Sequence, residues 1–153
     1  MQPCIRFANI DDLSSLLDIE ELSFSQHEYD LLNKKNYMHY FKKSNSDIRI
    51  CELNKKPIGS YILFYRKNVT FARLYSIAVI PQYQNMGIGK LLLEDAEYIS
   101  QIKGLTEVRQ EIRSNRPYLY ERYVNYGYKE YGRSKNYYPD GLGCIKLKKI
   151  IKC

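Results

Sequence analysis

Tyr75-Ser76-Ile77-Ala78-Val79-Ile80-Pro81, then Gln82-Tyr83-Gln84-Asn85-Met86-Gly87-Ile88-Gly89-Lys90, then Leu91-Leu92-Leu93: an apolar stretch, a polar loop with two close glycines, and a helical pattern. Proline stops the first element, and the predicted order is strand, loop, helix start. Free backbone N–H groups and the helix dipole make a helix N-terminus a natural anion site. Glycine lets an anion approach the backbone closely, and Lys90 in the first turn adds positive charge. Two familiar phosphate loops are excluded. A dinucleotide fingerprint needs a small residue where Leu92 stands, and a P-loop needs glycine at Gln84 and Ser or Thr at Leu91. The remaining alternatives are another anion and a glycine-softened helix entry with no ligand.

Outward from this loop, the chain reads as one alternating unit. Before it come a strand at Cys4–Phe7 and a helix capped by Asp11 or Asp12, with Leu13, Leu16, Leu17, Ile19 and Leu22 at helical spacing. An irregular stretch, Ser23 to Tyr29, precedes a helix predicted over Leu31–Phe41. Strands are predicted at Ile48–Leu53 and Ile58–Tyr65, joined by Asn54-Lys55-Lys56-Pro57, and at Phe71–Ile80. After the loop, a helix from Gly87 to Lys103 ends at Gly104. A strand at Thr106–Ile112 and a helix at Pro117–Tyr126 follow, the helix ended by Gly127. Strands at Tyr128–Tyr131 and Gly143–Ile150 close the chain through the turn Tyr138-Pro139-Asp140-Gly141. The expectation is a mixed α/β fold with helices packed around one sheet.

Composition narrows the class. The 153 residues, 44% hydrophobic and 27% charged, suit one globular domain over residues 1–153. No apolar run approaches the ~20 residues of a membrane span, and Met1-Gln2-Pro3-Cys4-Ile5-Arg6 does not read as a secretory signal. A cytoplasmic protein, monomer or homodimer, is expected. Cys4, Cys51, Cys144 and Cys153 form no CxxC pair, and with only His27 and His39 beside them no metal site is expected. The net charge of +7 is densest at Lys146, Lys148, Lys149 and Lys152. It fits an anionic cofactor or an acidic partner, though Lys146 and Lys148 also read as the outward face of a strand.

With Ile77-Ala78-Val79-x-Pro81 ahead of it, Gln84-x-x-Gly87-x-Gly89 resembles the cofactor motif of the GNAT N-acetyltransferases. Within that family the chain most resembles the ribosomal-protein alanine N-acetyltransferases. The likeness covers nearly the whole chain: Ile5-Arg6, Asp12-Leu13, Ser23-Phe24, Leu105-Thr106-Glu107-Val108-Arg109, Tyr123-x-x-x-Gly127-Tyr128 and Asn136-Tyr137-Tyr138-Pro139-Asp140-Gly141 arrive in the family's order.

The resemblance implies a central, mostly antiparallel twisted sheet flanked by helices on both faces and splayed between its fourth and fifth strands. It implies acetyl-CoA as co-substrate and acetyl transfer to a primary amine: a protein N-terminus, a lysine or a small amine. Backbone groups of Ile77, Ala78 and Val79 would pair with the pantetheine arm, and an amide near Ile77 would polarise the thioester carbonyl. The N–H groups of Gln84, Asn85, Met86, Gly87, Ile88, Gly89 and Lys90 would hold the pyrophosphate. Glu107 matches the family's base and Tyr123 its acid, with Tyr120 one turn earlier as the backup. Arg109 and Glu111 share the face of Glu107, so a surface charge ladder is the plain alternative. The family places an asparagine five residues after the glutamate, where this chain has Ile112; counted back from Tyr123, the same asparagine falls on Arg116. Asn115 is the nearest candidate for a pantetheine contact. Acceptor contacts are expected at Phe24, Glu28, Tyr29 and Tyr138, with Glu28 or Asp140 steering an ammonium. Two other classes stand beside this one. A non-catalytic acyl-CoA sensor would bind without turnover, and a nucleic-acid-binding domain lacks a clustered basic helix here.

Overall fold

The structure is a computed structural model that describes residues 2–151; Lys152 and Cys153, counted above in the basic tail and among the cysteines, lie outside the described residues. Among the described residues, seven strands form one sheet: β1 (Cys4–Phe7), β2 (Ser46–Leu53), β3 (Lys56–Phe64), β4 (Phe71–Val79), β5 (Glu107–Arg113), β6 (Lys129–Ser134) and β7 (Cys144–Ile150). Their spatial order is β1-β2-β3-β4-β5-β7-β6, and every neighbouring pair is antiparallel except β4 with β5. Among the described residues, four α-helices flank it: α1 (Leu13–Ser23), α2 (Lys34–Lys42), α3 (Ile88–Ile102) and α4 (Pro117–Asn125).

The parallel pair positions the site. β4 and β5 are joined only at Phe71↔Glu107, Ala72↔Val108 and Arg73↔Arg109. Beyond Arg73 the strands part, while β4 stays paired with β3 as far as Val79. The edge of β4 that faces the gap therefore keeps main-chain groups that no strand satisfies, and such groups must find partners.

Elsewhere the predicted elements appear with shifted ends. Asp12, one of the two expected aspartates, holds the N-cap position of α1 but makes no side-chain cap bond there. The helical region opens earlier, at Asn9. Its side chain caps a short 3-10 turn, and Asp12 accepts from the Asn9 N–H at 2.8 Å and from Arg6 at 2.8 Å. The second helix starts at Lys34, three residues after the expected Leu31. Asn33 and Asn36 form a reciprocal capping box there, fixing the start more strongly than apolar spacing does. β6 runs on to Ser134 across an irregularity between Glu130 and Gly132.

α3 closes on the sheet at Gly59, where an added Cβ would stand 2.8 Å from the Ala78 carbonyl oxygen and 3.1 Å from Leu92 Cδ1. Its Asp95 accepts from Arg49 and from the Tyr61 hydroxyl, 2.7 Å away, tying the helix to β2 and β3. The core is built of fully buried aliphatics, among them Leu16, Ile50, Ile58, Leu63, Leu92, Val108 and Leu147. Each contributes on the order of 1.5–3 kcal/mol by burial.

Candidate functional site

Where β4 turns toward α3, the chain makes a 3-10 turn at Pro81–Tyr83 and then two left-handed residues, Asn85 (φ 63°) and Gly87 (φ 82°). The Gln84 side chain donates to the Val79 carbonyl at 2.9 Å and pins the loop to the strand end. α3 begins at Ile88 without a side-chain cap, and its first main-chain bond runs from Leu91 N–H to the Gly87 carbonyl. The amides of Ile88, Gly89 and Lys90 thus have no acceptor inside the helix. A Cβ added at Gly87 or Gly89 would meet nothing within 4 Å, so the space above these amides is open. The loop opens on a cavity of about 530 Å³ lined by Gln84, Asn85, Gly87, Gly89 and Lys90, by Ile77, Val79 and Leu93, and by Leu119, Arg122, Tyr123 and Tyr126 of the α4 region. Uncapped amides, two bare glycines, Lys90 and Arg122 together fit a polyanion.

A second cavity of about 250 Å³ lies on the other side of the gap. Its wall combines α1 (Glu20), the following loop (Phe24, Tyr29, Asp30, Leu32), β4 (Arg73 to Ile77), β5 (Gln110 to Arg113), α4 (Leu119, Tyr123) and the closing hairpin (Tyr137 to Pro139). Ile77, Leu119 and Tyr123 line both cavities, so the two meet where β4 and β5 have parted.

Tyr123 sits at this junction, 6% exposed, its ring edge-on to Tyr126 and Tyr128. Burial pushes its phenol up to about 12, against the opposing pull of Gln110. The hydroxyl is therefore a proton donor at neutral pH.

Glu107 is placed elsewhere. It lies in the closed part of the β4–β5 pair, opposite Phe71, and lines neither cavity. Its carboxylate binds Arg109, whose guanidinium stacks 3.9 Å from the centre of the Phe71 ring. Four residues along the strand, beyond the parting, Glu111 faces the smaller cavity with Arg73 Nη2 3.4 Å away. One sequence signal pointed there. The count back from Tyr123 puts the family's asparagine at Arg116, and five residues before Arg116 stands Glu111.

The other expected residues divide in the same way. Ile77 and Val79 line the larger cavity, whereas the Ala78 side chain is buried in the core. Met86 is exposed and outside the lining, and the Ile88 side chain packs into the core, leaving only its amide at the loop. Asn115 is exposed, accepts from Arg116 at 2.7 Å and lines neither cavity. Phe24, Tyr29 and Tyr138 do come together, the Tyr29 ring 4.9 Å from Phe24 and 5.4 Å from Tyr138.

Glu28 and Asp140 are already engaged. Arg116 donates to both Glu28 oxygens, at 2.8 and 2.9 Å. Arg113, 1% exposed, donates to the Glu28 carbonyl at 2.8 Å and to the Asp140 carboxylate, which it holds below the usual carboxylate range. Its guanidinium also lies over Tyr138, 4.8 Å from the ring centre, and over Tyr29 at 5.4 Å. No periodicity marked Arg113 or Arg122. Their importance depends on which segments, distant in sequence, the fold brings to them.

Known proteins match this arrangement. The family model for the acetyltransferase (GNAT) domain matches residues 44–130. A [ribosomal protein bS18]-alanine N-acetyltransferase of Haemophilus influenzae is 34% identical over 84 residues, which is 54% of this chain and 56% of that protein. The match thus spans about half the length of such relatives. The crystal structure of the ribosomal-protein-S18-alanine N-acetyltransferase from Escherichia coli superposes with a TM-score of 0.88 at 23% identity, covering 99% of this chain and 96% of that one. A PaiA N-acetyltransferase from Thermoplasma acidophilum, solved in complex with coenzyme A, superposes with a TM-score of 0.81 at 19% identity, covering 98% and 99%. With its glycine loop at a helix start and its sheet splayed beyond Arg73, the chain belongs to the GNAT family of acetyltransferases.

Proposed function

We propose that residues 1–153 work as one acetyl-CoA-dependent N-acetyltransferase domain that acylates a primary amine by direct attack on the thioester. The observation that carries this reading is the meeting of the two cavities at Ile77 and Tyr123: one fits a phosphate-bearing cofactor, and the other is lined by aromatic rings and by the carboxylate of Glu111. Open amides at Ile88 to Lys90, with Lys90 and Arg122, would hold the pyrophosphate. The unpaired edge of β4 would take the pantetheine arm as a strand takes a neighbour.

Bound acetyl-CoA supplies an activated acyl group. The acceptor amine must lose a proton to attack, and we assign that proton to Glu111, directly or through water. The departing thiolate needs a proton, and the Tyr123 hydroxyl, kept protonated by burial, gives it. A main-chain N–H at the free edge near Ile77 serves the carbonyl oxygen. For the acceptor we propose a peptide N-terminus. Relatives named for acetylating a ribosomal protein's alanine support this, as do the aromatic walls Phe24, Tyr29 and Tyr138.

Thermal shift and thiol release test the proposal together. Acetyl-CoA at a hundred times its Kd should stabilise the fold by about 2.7 kcal/mol, and N-terminal peptides should release coenzyme A thiol. Stabilisation without turnover of any amine would leave an acyl-CoA sensor. The absence of both effects would refute both readings.

A further inference from the structure

The acidic side chains in and just behind the smaller cavity's wall are not alike. Glu111 has Arg73, Asp140 has Arg113, and Glu28, which holds the loop behind, has Arg116. Asp30 is exposed and solvated. Glu20 differs from all four. It lies in the last turns of α1, is 6% exposed and lines the cavity, yet it has no ion pair among the described residues. Its protein partner is the Leu32 amide, which donates to Oε2 at 3.0 Å. Tyr37 and Tyr40, close enough to feel its charge, are neutral phenols. Burial raises its carboxyl above the usual range, and the Leu32 N–H offsets this only in part. A buried carboxylate without a cation is costly, and an amine-accepting cavity is the place where a substrate can bring the missing cation.

We infer that Glu20 is the counter-charge for the acceptor: its carboxylate binds the incoming ammonium in the smaller cavity and selects amines over neutral nucleophiles. This rests on the proposed transferase reading. It separates two tasks between two carboxylates, Glu20 holding the charged amine and Glu111 taking the proton that frees it. With about 250 Å³, below the ~300–1,000 Å³ of typical small-molecule sites, the cavity admits the head of an acceptor, so both carboxylates serve the same group. The alternative role for Glu20 is structural, as the anchor of the Leu32 amide.

Glu20→Gln separates the two, because the amide oxygen still accepts from Leu32 N–H while the charge is gone. The assay uses the peptide or amine that the wild type acetylates fastest. The acceptor KM should rise about tenfold or more, the loss of one charge-assisted hydrogen bond. The acetyl-CoA thermal shift should be unchanged and kcat at saturating acceptor within about threefold. Glu20→Asp, which keeps the charge, should recover part of the KM. An unchanged acceptor KM in Glu20→Gln overturns the inference whatever kcat does, and so does loss of the acetyl-CoA shift. A wild type that binds acetyl-CoA but acetylates nothing refutes the transferase reading instead.

Discussion

The two halves of the cleft are made of different material. Toward α3 the surface is main chain: left-handed Asn85 and Gly87, bare Gly89 and a helix start with open amides. Toward the closing hairpin it is side chain, with Arg113 as the post to which Glu28, Tyr29, Tyr138 and Asp140 are tied. A main-chain surface is written locally, since glycine spacing over a few residues sets it. A side-chain surface is written across the fold: Arg113 meets residues 85 and 27 positions away. The first kind suits a constant ligand and the second an acceptor that can change.

The largest effect should come from the strand between the halves. Glu111→Gln should lower turnover by about 10²–10³, whereas Glu107→Gln, in the closed part of the sheet, should stay within about threefold by thiol release. Equal losses would break the division of β5 by the parting strands. Next in size is Arg113→Ala. Removing charge-assisted bonds should cost about 2–3 kcal/mol of stability by urea unfolding and raise the acceptor KM while sparing acetyl-CoA affinity. If both ligands weaken equally, the halves are not separable.

These two predictions also mark what the sequence carried. Element order and the glycine loop were readable because alternation, caps and turn residues act over short distances. Glu107-Val108-Arg109 and Glu111-Ile112-Arg113 are near copies four residues apart on one strand face, and both fit a catalytic glutamate locally. Only the place where β4 leaves β5, a property of the assembled sheet, puts one in the closed ladder and the other in the cleft. Glu28 and Asp140 likewise looked free, because the arginines that hold them come from β5 and the start of α4.

Smaller effects follow on the main-chain side. Gly87→Ala forces a Cβ into left-handed geometry at a cost of about 1–2 kcal/mol. By isothermal titration it should weaken acetyl-CoA about tenfold and leave the acceptor KM unchanged. The smallest effect is on pH. Asp140 and Asp12 are held below the ordinary carboxylate range by Arg113 and Arg6. A depressed folded value means stability that is present above the unfolded value of about 3.9 and lost as pH falls through the folded one. Urea midpoints should not fall between pH 6 and 5, where protonation of the buried Glu20 carboxyl, raised by burial, can only add stability, and should begin to drop below about pH 4. Arg113→Ala should remove the part due to Asp140 and leave the part due to Asp12.

Because Ile77, Leu119 and Tyr123 belong to both cavities, the cleft is a continuous passage with a phenol where its two parts meet. A single molecule that joins a coenzyme A thiol to a peptide amine through a short acyl bridge would thread it from end to end. Its second half would bind at the effective concentration set by the first. Such a conjugate should outcompete either parent ligand by orders of magnitude, and its linker length would measure the span of the passage.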